Sequence, residues 1–278
     1  MRDVSFGQYY PVSSPIHRLD PRTKLLSVII YMVALFFVSR FTGFGIMALF
    51  LFIAVIVSRV PIGKVLRSVR AVLFLLIFTM LITFLFTKGE PDKLIWEFGI
   101  LHLYWDGLFM SLKLCIRLIL LVLGPALLTL TTTPMELTDG LESLLKPLSL
   151  IKIPVHELAI IMSIALRLIP TLMEETDKII NAQKARCADF DSGNIFKRAK
   201  AMLPVLIPLF VSSFRRADDL ADAMDSRCYK GAKGRTRMRV LKFRFRDFLF
   251  LFIMAALFTV ILFLRYNWLN WQFIAVLW

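Results

Sequence analysis

Lys184-Ala185-Arg186-Cys187-Ala188-Asp189-Phe190 and Ala223-Met224-Asp225-Ser226-Arg227-Cys228-Tyr229-Lys230-Gly231 are two endings of one design. In each, a lone arginine beside a cysteine stands where a long, mostly apolar helical pattern runs out into a polar turn. The two arginines are 41 positions apart, in one polar-flanked block between membrane-like segments. A repeated arginine ending on two long helices predicts two similar sockets on something else.

The composition surrounding this block is that of a membrane protein. Apolar residues make up 58% of 278, Phe alone contributes 25, and mean hydropathy is +0.72, far from the soluble average. The net charge of +14 in so apolar a chain points to topology and anionic lipid, and nucleic acid is not expected as a partner. Cys115, Cys187 and Cys228 form neither a metal spacing nor an even disulfide set. The first 24 residues are polar and hold four basic side chains, which does not suit a cleavable signal peptide.

Read in order, His17-Arg18-Leu19-Asp20-Pro21-Arg22-Thr23-Lys24 is a helix start, with Asp20 as cap and Pro21 in the first turn. Its basic residues read as membrane-edge anchors, with Lys24 snorkelling outward. Apolar spans follow at 25–39, 44–58, 69–87, 108–130 and 249–264. The loop 88–107 carries Lys88, Glu90, Asp92, Lys93, Glu97 and Asp106 and is net acidic, whereas the amino terminus, 59–70 and 131–247 are basic. Five spans then put the amino terminus and the 131–247 block in the cytosol and the carboxyl terminus outside, with Trp268, Trp271 and Trp278 at the far interface.

The 131–247 block predicts three amphipathic helices. The first starts at Thr133-Pro134 with Glu136 in its first turn, and Pro147 and Pro154 end it. The second runs from Val155 to about Cys187 and carries Arg167 inside an apolar half and Pro170 just after it. The third runs from Ile195 to about Tyr229, with Pro204 and Pro208 in its apolar middle and acids at 218, 222 and 225. The apolar middles read as arms along the inner membrane face, not as extra spans, because one carries an arginine and the other two prolines. The expected architecture is an all-α membrane protein. About five transmembrane helices are joined by three cytosolic-face coupling helices, the last two long and crossed. The chain divides as 1–130, 131–247 and 248–278.

These residues resemble the transmembrane T component of energy-coupling factor transporters (the EcfT/CbiQ family), the vitamin- and metal-uptake branch of the ABC transporters. The resemblance covers nearly the whole chain: the 17–24 segment, the long helices, and the ending 223–231 followed by Gly234-Arg235-Thr236-Arg237. The family's signature is a pair of Ala-Arg-Gly motifs at the ends of two coupling helices. This chain has Ala185-Arg186-Cys187 and Ser226-Arg227-Cys228 there, so cysteine replaces both glycines and serine the second alanine. The resemblance implies that these six residues contact two related ATPase subunits, which hydrolyse ATP in the cytosol. It also implies that a separate substrate-binding S component packs on the apolar faces of the helices. The chain itself then binds no ATP, cofactor or metal, and lies in the cell membrane.

Two other classes were weighed. An enzyme needs a catalytic constellation, but His17, His102 and His156 are scattered, and no glycine-rich phosphate loop is present. A stand-alone carrier or channel draws on Lys113 and Arg117, one helical turn apart in the fourth span. The opposing reading has Lys113 snorkelling outward and Arg117 pairing inside the bundle or with lipid, and no repeated halves are visible.

Overall fold

Asp20 caps α1 (Pro21–Phe37) as the sequence predicts: its carboxylate accepts the amide of Arg22 at 3.0 Å, with Pro21 at the first helical position. This computed structural model describes residues 9–87, 94–98, 101–151, 154–188, 190, 194–231 and 241–276. Its described residues form α2 (Phe41–Ser58), α3 (Ile62–Phe86), strands β1 (Leu94–Phe98) and β2 (Leu101–Tyr104), and α4 (Trp105–Thr131). Then come α5 (Pro134–Leu145), a 3-10 turn (Lys146–Ile151), α6 (Val155–Ala185), α7 (Ile195–Ser226) and α8 (Phe245–Val276). Among the described residues the chain is helical apart from the small antiparallel β1–β2 hairpin, in register Phe98 to Leu101 and Glu97 to His102. It falls in the acidic segment that the sequence reading left as loop.

The described residues fall into two compact units, one within Gly7–Leu141 and Leu241–Trp278, the other within Glu142–Val240. In the first, α1, α2, α4 and α8 share a core in which Tyr31, Leu35, Met47, Leu120, Met254 and Ile261 are buried. The Tyr31 ring crosses α4 at Gly124, where an added Cβ would lie 2.7 Å from the ring. A larger residue there would push the two helices apart. On the outside, large apolar side chains face away from the protein. Phe74 on α3 is 81% exposed, and Phe252 and Phe263 on α8 are also open. A surface of this kind is stable only against lipid or an apolar partner.

Among the described residues, five helices are long and apolar enough to cross a membrane: α2, α3, α4, α6 and α8. The number matches the expectation, but the membership differs. α1 is absent from this set, at 17 residues, or roughly 25 Å. It compensates by burial, since Ala34 and Leu35 are fully enclosed. α6 qualifies by its apolar first half, though it is the least apolar of the five. α8 runs to Val276, so Trp268 and Trp271, expected in a tail, fall on helix; Trp278 lies outside the described residues.

The 17–24 segment does more than cap. Lys24 is 4% exposed and turns inward, donating to the carbonyls of His17 at 3.1 Å and Thr131 at 2.9 Å. The expected snorkelling is replaced by a cation on the free carbonyl end of α4, where the helix dipole favours it. Asp247, in the first turn of α8, is 2% exposed and accepts the amides of Asp20 at 2.8 Å and Arg244 at 2.7 Å. Three helix ends that are distant in sequence are thereby tied by charge-assisted bonds. Nearby, His17 bonds Ser14 Oγ at 2.7 Å and the Tyr10 carbonyl at 3.1 Å. A carbonyl only accepts, so the ring proton sits on Nε2 and Nδ1 accepts from Ser14.

Candidate functional site: twin capped arginines on a pinned helix pair

α5 begins with the Thr133 cap, whose Oγ1 accepts the amide of Glu136 at 3.3 Å. His156 Nδ1, on the first turn of α6, meets Glu142 Oε1 at 2.8 Å, fastening the entry of α6 to the end of α5.

α6 and α7 then pack against each other. Arg216 on α7 donates to Glu175 Oε2 on α6 at 2.6 Å, and Ser212 Oγ donates to the other carboxylate oxygen. Farther along, Ile160 to Leu168 of α6 lie across a cleft from Leu220 to Gly231, at the end of α7 and just beyond it. The pairings run in opposite sequence directions, so the helices cross in antiparallel sense and their carboxyl ends lie on opposite sides of the Glu175 pin.

Both ends close in the same way. On α6 the amide of Cys187 donates to the Lys184 carbonyl at 3.0 Å and that of Ala188 to Gln183 at 3.0 Å. On α7 the amide of Cys228 donates to Asp225 at 2.9 Å and that of Tyr229 to Met224 at 3.1 Å. Each is a Schellman motif, with its two characteristic backbone bonds and a left-handed residue just past the cap. The left-handed residues are Cys187, φ 63°, and Cys228, φ 56°. That geometry is the physical reason for a glycine at the third motif position, since a Cβ is disfavoured there by roughly 1–2 kcal/mol. Cysteine occupies both positions in this chain and adopts the conformation nonetheless.

The cap residue itself is the arginine. Arg186 and Arg227 are exposed, and neither makes an ion pair among the described residues. Ala185 is exposed, and the exposed Ser226 spends its hydroxyl on the Ala223 carbonyl at 3.0 Å. The small flanking residues leave each guanidinium standing clear on a rigid, hydrogen-bonded tip. Such a fork is suited to bidentate contacts with carboxylates or carbonyls.

The candidate pore residues behave otherwise. Arg117 donates to the Val38 carbonyl at 2.7 Å and lies over the Phe44 ring, while Lys113 lies over Phe41. Arg117 is thus engaged with the end of α1, inside the bundle, as one of the two sequence readings held.

What sequence reasoning missed is the Glu175–Arg216 pin. Glu175 reads only as part of the wet face of the second long helix, and Arg216 does not stand out. The available signal was that each stands at the same distance before its tip arginine.

A family model described as "Cobalt transport protein" (CbiQ) matches residues 12–238. The chain is 49% identical over 267 residues to an energy-coupling factor transporter transmembrane protein EcfT of Acidaminococcus fermentans, covering 96% of this chain and 98% of that one. It is 50% identical over 265 residues to the protein of that name from Thermanaerovibrio acidaminovorans (94% and 96% covered). With the Bacillus subtilis one it shares 43% over 265 residues (95% and 99%). With five membrane-length helices and matches spanning nearly its full length, the chain belongs to this family, as a multi-pass transmembrane T component of an energy-coupling factor transporter.

Proposed function

We propose that this chain couples ATP hydrolysis by two cytosolic ABC-type ATPase subunits to a separate substrate-binding S component in the cell membrane, for uptake of a vitamin or other micronutrient. Arg186, flanked by Ala185 and Cys187, enters a groove on one ATPase. Arg227, flanked by Ser226 and Cys228, enters the other. The amino terminus and residues 131–247 face the cytosol and the carboxyl terminus faces outside, as the loop charges favour. Residues 1–130 and 248–278 are the membrane parts, and ATP hydrolysis takes place on the partners.

The observation that carries this reading is the pair of identically capped, exposed arginines on two arms pinned at Glu175–Arg216. A helix is stiff over a few turns, so displacing one tip moves the pin and the apolar middle with it. Support for an apolar partner comes from α7, where the exposed Leu203, Ile207, Phe210 and Phe214 recur at helical spacing on one face.

Reconstitution tests the reading against a self-sufficient carrier. Purified chain alone in vesicles is expected to transport nothing, and addition of both ATPases with an S component to give ATP-dependent uptake. Uptake by the chain alone would overturn it.

A further inference from the structure

A cleft of about 690 Å³ lies between the apolar half of α6 and the end of α7. Three cations border it: Arg167 from α6, and Arg227 and Lys230 from the end of α7 and the turn beyond it. No carboxylate among the described residues lines it, and Arg167 and Lys230 make no ion pair among them. Its remaining walls are mostly apolar, with Ser163 and Tyr229 among them. Ile160, Ile164 and Leu168 form one side, with Leu220 and Met224 opposite.

Like charges thus line a cleft whose other walls are mostly apolar, with nothing among the described residues to neutralise them. The arrangement asks for a ligand that carries both an anionic group and apolar surface. Arg167 adds a second argument. It stands within the apolar half of α6, where an arginine needs an anion or water to hold its charge. An acidic protein loop would satisfy the cations but leave the apolar walls uncovered. An acyl chain covers them.

We propose that this cleft binds an anionic glycerophospholipid. Its phosphodiester sits between Arg167 and Lys230, and its first acyl carbons lie along Ile160, Ile164 and Leu168. The lipid links α6 to the turn after α7, at the far side of the cleft from the Glu175 pin. Arg227 borders the same cleft, but the inference rests on Arg167 and Lys230 and does not depend on the ATPase contacts proposed above.

The test uses the purified full-length chain alone, in a neutral detergent, so no ATPase enters. Thermal unfolding and tryptophan quenching are followed during titration with dioctanoyl phosphatidylglycerol, dioctanoyl phosphatidylcholine and soluble glycerol phosphate. The expected result is saturable stabilisation by phosphatidylglycerol only. Arg167→Gln with Lys230→Gln is expected to weaken it on the order of tenfold or more, given about 1 kcal/mol per cation at an anionic lipid surface. Arg167→Lys should retain most of it and also shows that the fold tolerates change at 167. Equal effects of the two lipids, an equal effect of glycerol phosphate, or full retention in the double glutamine variant would each overturn the proposal.

Discussion

Glu175 and Arg216, joined at 2.6 Å across the α6–α7 crossing, each stand eleven positions before a tip arginine (175 to 186; 216 to 227). At ~1.5 Å per residue both tips therefore lie about 16 Å past the pin. Because the helices run antiparallel, Arg186 and Arg227 extend to opposite sides, on the order of 30 Å apart if the arms are straight. Two arms of equal length about one fixed point suit two partners of similar shape.

The pin is expected to matter more for coupling than for folding. Both side chains are partly exposed, Arg216 at 37% and Glu175 at 21%, so Glu175→Gln should cost only about 1 kcal/mol of stability. Uptake in a reconstituted complex should fall severalfold while ATPase co-purification persists. Unchanged uptake would remove the pin from the mechanism.

Cysteine at the left-handed tip positions predicts stabilisation by glycine. Cys187→Gly and Cys228→Gly should each leave the tip intact and raise stability by up to about 1 kcal/mol. Valine at either position should unravel the last turn, because a β-branched residue strongly resists positive φ. Thermal unfolding of the four variants, with ATPase co-purification as second readout, checks both directions.

Asp247 holds two amides in a buried site, so Asp247→Ala leaves the amides of Asp20 and Arg244 without that acceptor. A loss of about 2–4 kcal/mol is expected, read as a marked drop in melting temperature. Asn, which keeps one carbonyl oxygen, should recover part of it.

Burial, with a smaller contribution from Lys24 and against the pull of Glu136, lowers the His17 pKa below its usual 6.5. The unfolded chain then takes up the proton first as pH falls. The contribution of neutral His17 is therefore fully present above pH 6.5 and lost as pH drops from there through the lowered folded value. Melting temperature should decline over that window, and His17→Gln should flatten the decline. An unaltered slope in the variant would assign the acid sensitivity elsewhere.

The helices were legible in the sequence because apolar periodicity, prolines and caps agree locally: Asp20-Pro21, Thr133-Pro134 and the α6 and α7 bounds stand within a few residues of expectation. The Schellman tips were legible only as arginines, since two cysteines hid the left-handed position that glycine normally advertises. The role of Lys24 was not legible. Its partners are carbonyls of residues 17 and 131, and backbone acceptors leave no mark in a sequence. The hairpin was not legible because 88–107 reads as a charged loop, although Gly99-Ile100 between two β-prone runs is a hairpin signal.

The claim that the twin arginines join this chain to its ATPases is tested most directly by co-purification of the full complex with Arg186→Ala, Arg227→Ala and both together. Each single change is expected to weaken retention of the ATPases, and the double change to release them and abolish uptake while the chain still folds and inserts. Normal ATPase retention and normal uptake in the double variant would contradict the account.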